Sequence, residues 1–285
     1  MSHRSACPNP TITTMTTLLR KLLITTAFAC ASMAGAVHAA GLQVSNVLVE
    51  LEQQDNAQGL WLVNSGDRPI RAQSRIMQWT QSDNANQLDA TRSLTASPPI
   101  VEIAPGQQQF VRVVRLQKGA ADAEQSYRLL VNELPQPVTR TEAGAGTGSA
   151  GQGVQLLIEH SIPVFVIPQN GKRLGNLRGA TDLAGLNAKL VPDTTGGTDS
   201  TDAAVQLQVR NSAPQRVRIT RVEFVNTQGQ RTALVPGLLG YVLAGQVMQW
   251  KLPLPATELQ SGGQLQVRIN DDEQPQTLLQ IPARQ

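Results

Sequence analysis

The sequence predicts an all-β protein made of two β-sandwich domains in tandem. Apolar and polar residues alternate with a period of two over many short segments, and helical periodicity is scarce. Gly, Pro, Asn and Ser separate these segments, as they do in sandwiches of short strands. The alternation restarts after Pro168, which indicates a second domain.

Residues 1–40 have the pattern of a cleaved secretory signal peptide. Arg20 and Lys21 form a basic start, an apolar run extends to Gly35, and small residues suited to cleavage follow. Both cysteines lie in this segment, as do three of the 24 basic residues and none of the acidic ones. The exported chain would therefore lack disulfides and carry 21 basic against 21 acidic residues, a balance that offers no support for nucleic-acid binding.

Five segments of the first domain are predicted to be strands. The alternating or continuous apolar runs are 43–50, 59–63, 72–79, 109–116 and 126–132, and Pro-rich 97–106 is predicted to be poor in strand. In the second domain 204–210, 216–224, 248–252 and 264–269 alternate cleanly. Asn211–Pro214 resembles Asn64–Pro69, since each places Asn-Ser and a proline between two strands. This weak internal repeat suits two related sandwiches.

The segment from Val154 to Pro168 is the most informative part of the chain. It is predicted to be one long strand with Val154, Leu156 and Ile158 on one face, and a Gly-rich stretch of residues 143–153 precedes it. An uncovered apolar strand beside such a stretch is an aggregation hazard unless another chain pairs with it. The pattern is typical of a protein that lends a strand to a partner.

Enzyme functions find little support in the residue inventory. After removal of residues 1–40, His160 is the one histidine and no cysteine remains, so neither a zinc site nor a catalytic triad has its usual ligands or partners. The Gly-rich stretch lacks the Lys-Ser/Thr of a phosphate-binding loop. Taken by pattern alone, Arg112, Glu124 and Asp271 are solvated charges at strands or turns.

Several short motifs, in a shared order, resemble those of the periplasmic pilus chaperones of the chaperone–usher pathway, the PapD-like family. The resemblance covers roughly residues 42–285. The motifs are Ala96–Ile100, Ala104–Gly106, Val111–Val113, Glu124 ahead of Tyr127, Asn132–Pro135, Ile162–Pro168, Asn211–Pro214 and Ile269–Asp271.

The resemblance implies two immunoglobulin-like sandwiches set in an L, with a cleft between them. It implies residues 41–168 as the chaperone domain and 169–285 as the C-terminal domain. Val154, Leu156 and Ile158 fall at the positions that donate side chains to a pilus or fimbrial subunit lacking its last strand. The implied protein works in the periplasm without a cofactor or metal and delivers its subunit to an outer-membrane usher.

The resemblance also assigns charged residues. Arg112, Glu124 and Asp271 match the family's buried inter-domain ionic cluster, which overrides their interpretation as solvated charges. The family's two basic residues that anchor the subunit carboxylate are replaced by Leu48 and Pro163. His160, Lys172 and Arg173 are candidate substitutes. The rival hypothesis is a structural or adhesive two-sandwich module of the cell surface that binds through a loop end, and a carbohydrate-active enzyme is a more distant one.

Overall fold

A computed structural model describes residues 41–119, 121–135, 157–173, 183–192, 205–254, 256–270 and 272–283. They form four antiparallel or mixed sheets that pair into two sandwiches, which confirms the predicted all-β fold. The predicted signal peptide lies outside the described residues. No described helix has the length and apolar character needed to cross a membrane.

The first sandwich contains ten strands in two sheets. The four-stranded sheet has the order β1-β3-β8-β6, and the second sheet has the order β2-β10-β9-β4-β5, with β7 also paired to β4. The strands are β1 Leu42–Val44, β2 Val49–Leu51, β3 Ala57–Asn64, β4 Ile70–Ser82, β5 Ala85–Ala90, β6 Leu94–Ser97, β7 Ile100–Ile103, β8 Gln108–Arg115, β9 Gln125–Leu134 and β10 Glu159–Val166.

The second sandwich contains seven strands. Its sheets have the orders β11-β12-β15 and β14-β13-β16-β17. The elements are β11 Leu186–Pro192, β12 Val205–Asn211, β13 Val217–Asn226, β14 Arg231–Val242, β15 Val247–Leu252, β16 Gly263–Ile269 and β17 Gln276–Ile281, with the short helix α1 at Ala256–Gln260 and a 3-10 turn at Leu183–Gly185.

Two segments of the first sandwich differ from the sequence-based expectation because the chain changes sheets there. The predicted strand 43–50 is two short strands, since β1 pairs with β3 and β2 pairs with β10 in the opposite sheet. The Pro-rich segment 97–106, predicted to be poor in strand, contains the last residue of β6 and all of β7, and these two strands lie in opposite sheets. Period-two alternation cannot show such a crossing, because the residues on both sides of it still alternate.

Each sandwich buries its own apolar core between its sheets. Strand residues that point inward on β3 and β8, such as Leu60, Leu62, Val111 and Val113, are fully buried in the first core. A separate core lies within the second sandwich and includes Leu207, Ile219 and Leu265. Two cores of this kind are what the restart of the alternating pattern predicts.

The weak internal repeat corresponds to one hydrogen-bonded turn used twice. Asn64 is fully buried; its Nδ2 donates to the carbonyls of Arg68 (2.7 Å) and Ile103 (2.9 Å), and its Oδ1 accepts from the Gly66 N–H. Asn211 is equally buried and repeats this pattern. Its Nδ2 donates to the carbonyls of Gln215 and Val242, and its Oδ1 accepts from the Ala213 N–H. Each amide thus closes a turn and ties it to the next strand.

We expect Asn64→Ala to lower the free energy of unfolding by about 2–4 kcal/mol, because two buried carbonyls and one N–H lose their partner. Asn226 is the matched control, since it accepts from two turn N–H groups but lies in an exposed turn. Asn226→Ala should cost about 1 kcal/mol or less, because water replaces the amide there. Urea unfolding of both variants checks this, and equal losses would contradict it.

Candidate functional site

One half of β10 is an open sheet edge. β10 pairs with β9 along its whole length, whereas β2 covers only Val164–Val166 on its other side. The Glu133 N–H bonds the Ile158 carbonyl and the Ile167 N–H bonds the Leu51 carbonyl. By the alternation of an antiparallel ladder, the backbone groups of Glu159 and Ser161 therefore face away from β9. Within the described residues no strand pairs with them.

The core contacts of β10 show on which face of the sheet each of its side chains lies. Ile162, Val164 and Val166 point into the first sandwich. Ile158 shares their parity and so continues the same face beyond the covered end of the sandwich. The predicted long strand is shorter in the described chain, since β10 begins at Glu159 and Ile158 lies just ahead of it. Val154 and Leu156 lie outside the described residues.

A cavity of about 340 Å³ opens beside this edge, between the two sandwiches. It is lined by residues of β4, β5, β9 and β10 from the first sandwich and of β13, β14 and β15 from the second. These include Trp79, Asn86, Arg128, Ser161 and Pro163 on one side, and Arg218, Leu238, Leu239, Tyr241, Met248 and Trp250 on the other. Among the described residues that line it, none is acidic.

Arg128 is the charged group that the first sandwich presents to the cavity. Its guanidinium carbon lies 3.7 Å from the centre of the Trp79 ring, and its Nη1 donates to the Ser161 carbonyl over 3.4 Å. Burial lowers the pKa of Arg128 below its usual value. Among the described residues no carboxylate is paired with it. The arrangement holds a partly desolvated cation above an aromatic ring, which is suited to binding an anion.

The positions of the family's basic residues have other roles here. Leu48 packs against the aromatic cluster between the sandwiches. Pro163 is buried and lies directly across the ladder from Arg128. Arg128, one of the two arginines that line the cleft, thus lies on β9, one strand away from Pro163, whereas the other, Arg218, lies on β13. The sequence analysis missed Arg128, although its strand, 126–132, was predicted.

The three candidate substitutes for the anchor are placed elsewhere. The His160 Nε2 bonds the Leu42 carbonyl (2.8 Å) on the opposite sheet. Arg173 pairs with Glu52 and Asp55, and the hydrogen bond to Glu52 raises the pKa of its guanidinium. Lys172 is exposed and contributes its backbone to two hydrogen bonds with the Gln215 side chain. None of the three lines the cavity beside β10.

A buried ionic cluster does join the sandwiches, with a different arginine from the predicted one. Arg216, with no exposed side-chain surface, pairs with Glu124 and with Glu50 of β2, and its guanidinium lies 3.6 Å from the Phe165 ring centre. Burial raises the pKa of Glu124, while the charge of Arg216 opposes that rise.

The assignment of Arg112 to this cluster was wrong. Arg112 is exposed on β8 between the inward-pointing Val111 and Val113, so its side chain faces solvent on the outer sheet. Asp271 lies outside the described residues. A period-two argument would have placed Arg112 outside, because both of its neighbours are apolar core residues.

Two further features join the sandwiches. Trp79 and Phe165 of the first sandwich pack with Tyr241 and Leu243 of the second in a separate apolar cluster. The buried Gln81 side chain donates to the Tyr241 carbonyl (2.8 Å) and accepts from the Leu243 N–H (2.9 Å). Of these residues, Trp79 and Tyr241 line the cavity.

The described residues contain no group of three or more His, Cys, Asp or Glu arranged to hold a metal ion.

Comparisons with known proteins agree with this geometry. Residues 41–172 match the family model described as "Pili and flagellar-assembly chaperone, PapD N-terminal domain". No curated protein sequence is significantly similar to this chain.

Three solved structures illustrate the similarity of fold. The first is the CsuC–CsuE chaperone–tip adhesion subunit pre-assembly complex of Csu pili from Acinetobacter baumannii, with 19% identity, a TM-score of 0.60 and coverage of 84% of this chain and 97% of that one. The SafA pilin–SafB chaperone complex of Salmonella enterica has 18% identity, a TM-score of 0.52 and coverage of 85% and 97%. The YadV chaperone has 17% identity, a TM-score of 0.52, and coverage of 83% of this chain and 96% of that one.

We expect Arg216→Ala to lower the free energy of unfolding by about 3–5 kcal/mol, because the fully buried carboxylate of Glu124 loses its counter-charge and Glu50 loses a salt bridge. Arg231 is the matched control, since it pairs with Glu223 at the surface with about half of its side chain exposed. Arg231→Ala should cost about 1 kcal/mol or less. Chemical unfolding of both variants measures the difference, and similar losses would show that the buried cluster contributes no more than a surface pair.

Proposed function

We propose that this chain, whose N-terminal domain belongs to the PapD-like assembly chaperones, is a periplasmic chaperone that captures pilus or fimbrial subunits by donor-strand complementation and delivers them to an outer-membrane usher. Residues 41–168 would form the chaperone domain and 169–285 the C-terminal domain, after cleavage of the signal peptide at residues 1–40. The observation that supports this most is the open edge of β10 running beside a cleft that holds a cation.

Strand addition supplies affinity through the backbone and specificity through alternate side chains. The outward-facing groups of Glu159 and Ser161 would bond a subunit strand. Val154, Leu156 and Ile158 would fill the groove that the subunit's missing strand leaves open. Three aliphatic side chains buried in this way contribute several kcal/mol at ~25 cal/mol per Å², before the cost of ordering the segment.

Pro163 would set the end of this pairing. Its backbone nitrogen lacks a hydrogen, so the outward-facing ladder loses a donor at that position. β2 covers the edge from Val164 onward. A subunit strand that runs along β10 would therefore end at the cleft, beside Arg128.

Arg128 would bind the carboxylate at the end of that strand. A guanidinium binds a carboxylate through two parallel hydrogen bonds, and removal from water strengthens the attraction. The Trp79 ring beneath Arg128 holds the guanidinium plane in place. This proposal replaces His160, Lys172 and Arg173 as anchors of the subunit.

Release would proceed by strand exchange, in which the extension of an incoming subunit displaces β10 and the residues before it. The reaction makes and breaks hydrogen bonds and apolar contacts only, so it needs no catalytic residue and no cofactor. The usher would provide the place where the exchange occurs.

We expect Leu156→Asp and Ile158→Asp to abolish recovery of a co-expressed pilus subunit, because each places a charge in the subunit's apolar groove. Leu157→Asp is the matched control, since Leu157 has the opposite parity and is 43% exposed. It should retain the complex. Pull-down of a tagged chaperone at one-to-one stoichiometry gives the readout. Equal recovery with all three variants would contradict donor-strand capture and favour binding through a loop end.

We expect Arg128→Gln to weaken subunit binding by about 1.5–3 kcal/mol, the contribution of a hydrogen bond to a charged group. Arg112→Gln is the control, since Arg112 is exposed on the other sheet of the same sandwich. Titration calorimetry with a purified subunit measures both, and circular dichroism verifies that each variant folds. An Arg128→Gln protein that binds as tightly as Arg112→Gln would rule out this anchor.

A further inference from the structure

We infer that the second sandwich contributes an apolar pocket that selects the side chain of the partner's C-terminal residue, so that the chaperone prefers subunits ending in a large apolar residue. The inference rests on the proposed function, because it assumes that the partner's carboxylate reaches Arg128. It concerns the wall opposite Arg128, which comes from β14 and β15.

The part of the wall formed by β14 and β15 is apolar and faces Arg128 across one cavity, and Arg218 of β13 adds a second arginine to the lining. Leu238, Leu239, Met248 and Trp250 line it from the second sandwich, and Val47 stands at the rim of the first. Leu238 is 55% exposed and Val47 is 76% exposed. Two large, exposed apolar side chains flanking one cavity indicate a contact surface for a partner.

A β-bulge builds this wall. Ile219 pairs with Gly240 and Thr220 pairs with Leu238, so Leu239 has no partner on β13. On a regular strand, consecutive side chains point to opposite faces. Here Leu238 and Leu239 both line the cavity. Bulges redirect side chains at binding sites, which is the effect seen at this position.

Gly240 completes the wall by its lack of a side chain. A Cβ atom at Gly240 would lie 2.9 Å from Cζ2 and 3.0 Å from Nε1 of Trp250. The indole therefore packs flat against the backbone of β14. A larger residue would displace Trp250 and change the shape of the cavity.

The dimensions and chemistry of the cavity define its occupant. Its volume of about 340 Å³ is near the lower end of ligand pockets, which span about 300–1,000 Å³. It thus suits a single residue. The Cα of a chain's last residue is bonded directly to its carboxylate carbon, so a carboxylate on Arg128 fixes the last side chain within the same cavity. The apolar wall would favour a leucine or an aromatic residue there.

Synthetic peptides that differ in their C-terminal residue test this preference before the natural subunit is identified. The probes are N-acetylated six-residue peptides of alternating valine and threonine that end in phenylalanine, leucine or serine, each with a free or an amidated C-terminus. Calorimetry with the exported chain should give dissociation constants about tenfold or more lower for the two apolar endings than for serine, the usual discrimination by an apolar pocket.

Substitutions of the two exposed side chains at the rim of the cavity test whether these side chains produce the preference for an apolar C-terminal residue. Leu238→Ser and Val47→Ser should reduce the ratio between phenylalanine and serine peptides toward one, with binding of the serine peptide unchanged. Leu116→Ser is the matched control, since Leu116 is 58% exposed and does not line the cavity. It should keep the full ratio.

Three different results would contradict the apolar pocket, the carboxylate anchor or the assignment to this wall, and they can be told apart. Equal binding of all three endings, weakened by amidation and by Arg128→Gln, would overturn the apolar pocket and leave the carboxylate anchor in place. Free and amidated peptides that bind alike would overturn the anchor of the proposed function and this inference with it. A preference for phenylalanine that survives in both rim variants would also overturn the assignment to this wall.

Discussion

The buried guanidinium of Arg216 sets the relation between the two sandwiches, and the cleft depends on that relation. It contacts Glu124 and Glu50 of the first sandwich and lies on the ring of Phe165. A shift of one sandwich against the other that broke these pairs without admitting water would leave a buried charge without its counter-charge, which costs several kcal/mol. Packing of Trp79 against Tyr241 alone would allow sliding, whereas a charged cluster requires one geometry. The cavity walls on β9 and β14 are therefore held opposite each other.

Strand β10 has two roles that are divided at Pro163. From Val164 onward it is buried between β2 and β9; Val164 and Val166 belong to the core of the first sandwich, and Phe165 belongs to the cluster between the sandwiches. Before Pro163 one edge of its backbone faces outward. The buried half holds the open half in a fixed direction, so less conformational entropy is lost when a strand pairs with it. An open edge is normally a risk of aggregation. This risk is limited because the open edge is only a few residues long, because Pro163 lacks a backbone hydrogen-bond donor and because Glu159 is charged.

The sequence predicted the features that depend on local pattern. Alternation identified most strands, and the Asn-Ser turns at Asn64 and Asn211 indicated two related sandwiches. Features that depend on contacts between distant segments were missed. Arg216 and Glu50 are far apart in the chain and meet only because the two sandwiches pack together, so no local spacing marks them. The error at Arg112 was avoidable, because a charge between two core valines must point outward. Arg128 became recognisable only from the strand register, which places it across from Pro163.

Under the proposed function, Arg128 on β9 would take the place of the basic residue that PapD-like chaperones carry at the position of Pro163 on β10. A lysine on β10 would extend from the strand that the partner pairs with, whereas Arg128 extends from β9 and rests on Trp79. The charge remains in the cleft, but it is now supported by an aromatic ring and partly removed from water. Electrostatic attraction is stronger in such surroundings, and the cost of desolvation is already included in the folded state. A cation of this kind gains most from a partner whose own end is also shielded from water. The apolar side chains of Leu238, Leu239 and Trp250 would provide that shielding on the opposite side, so the arginine and the bulge in β14 would act on the same residue of the proposed partner.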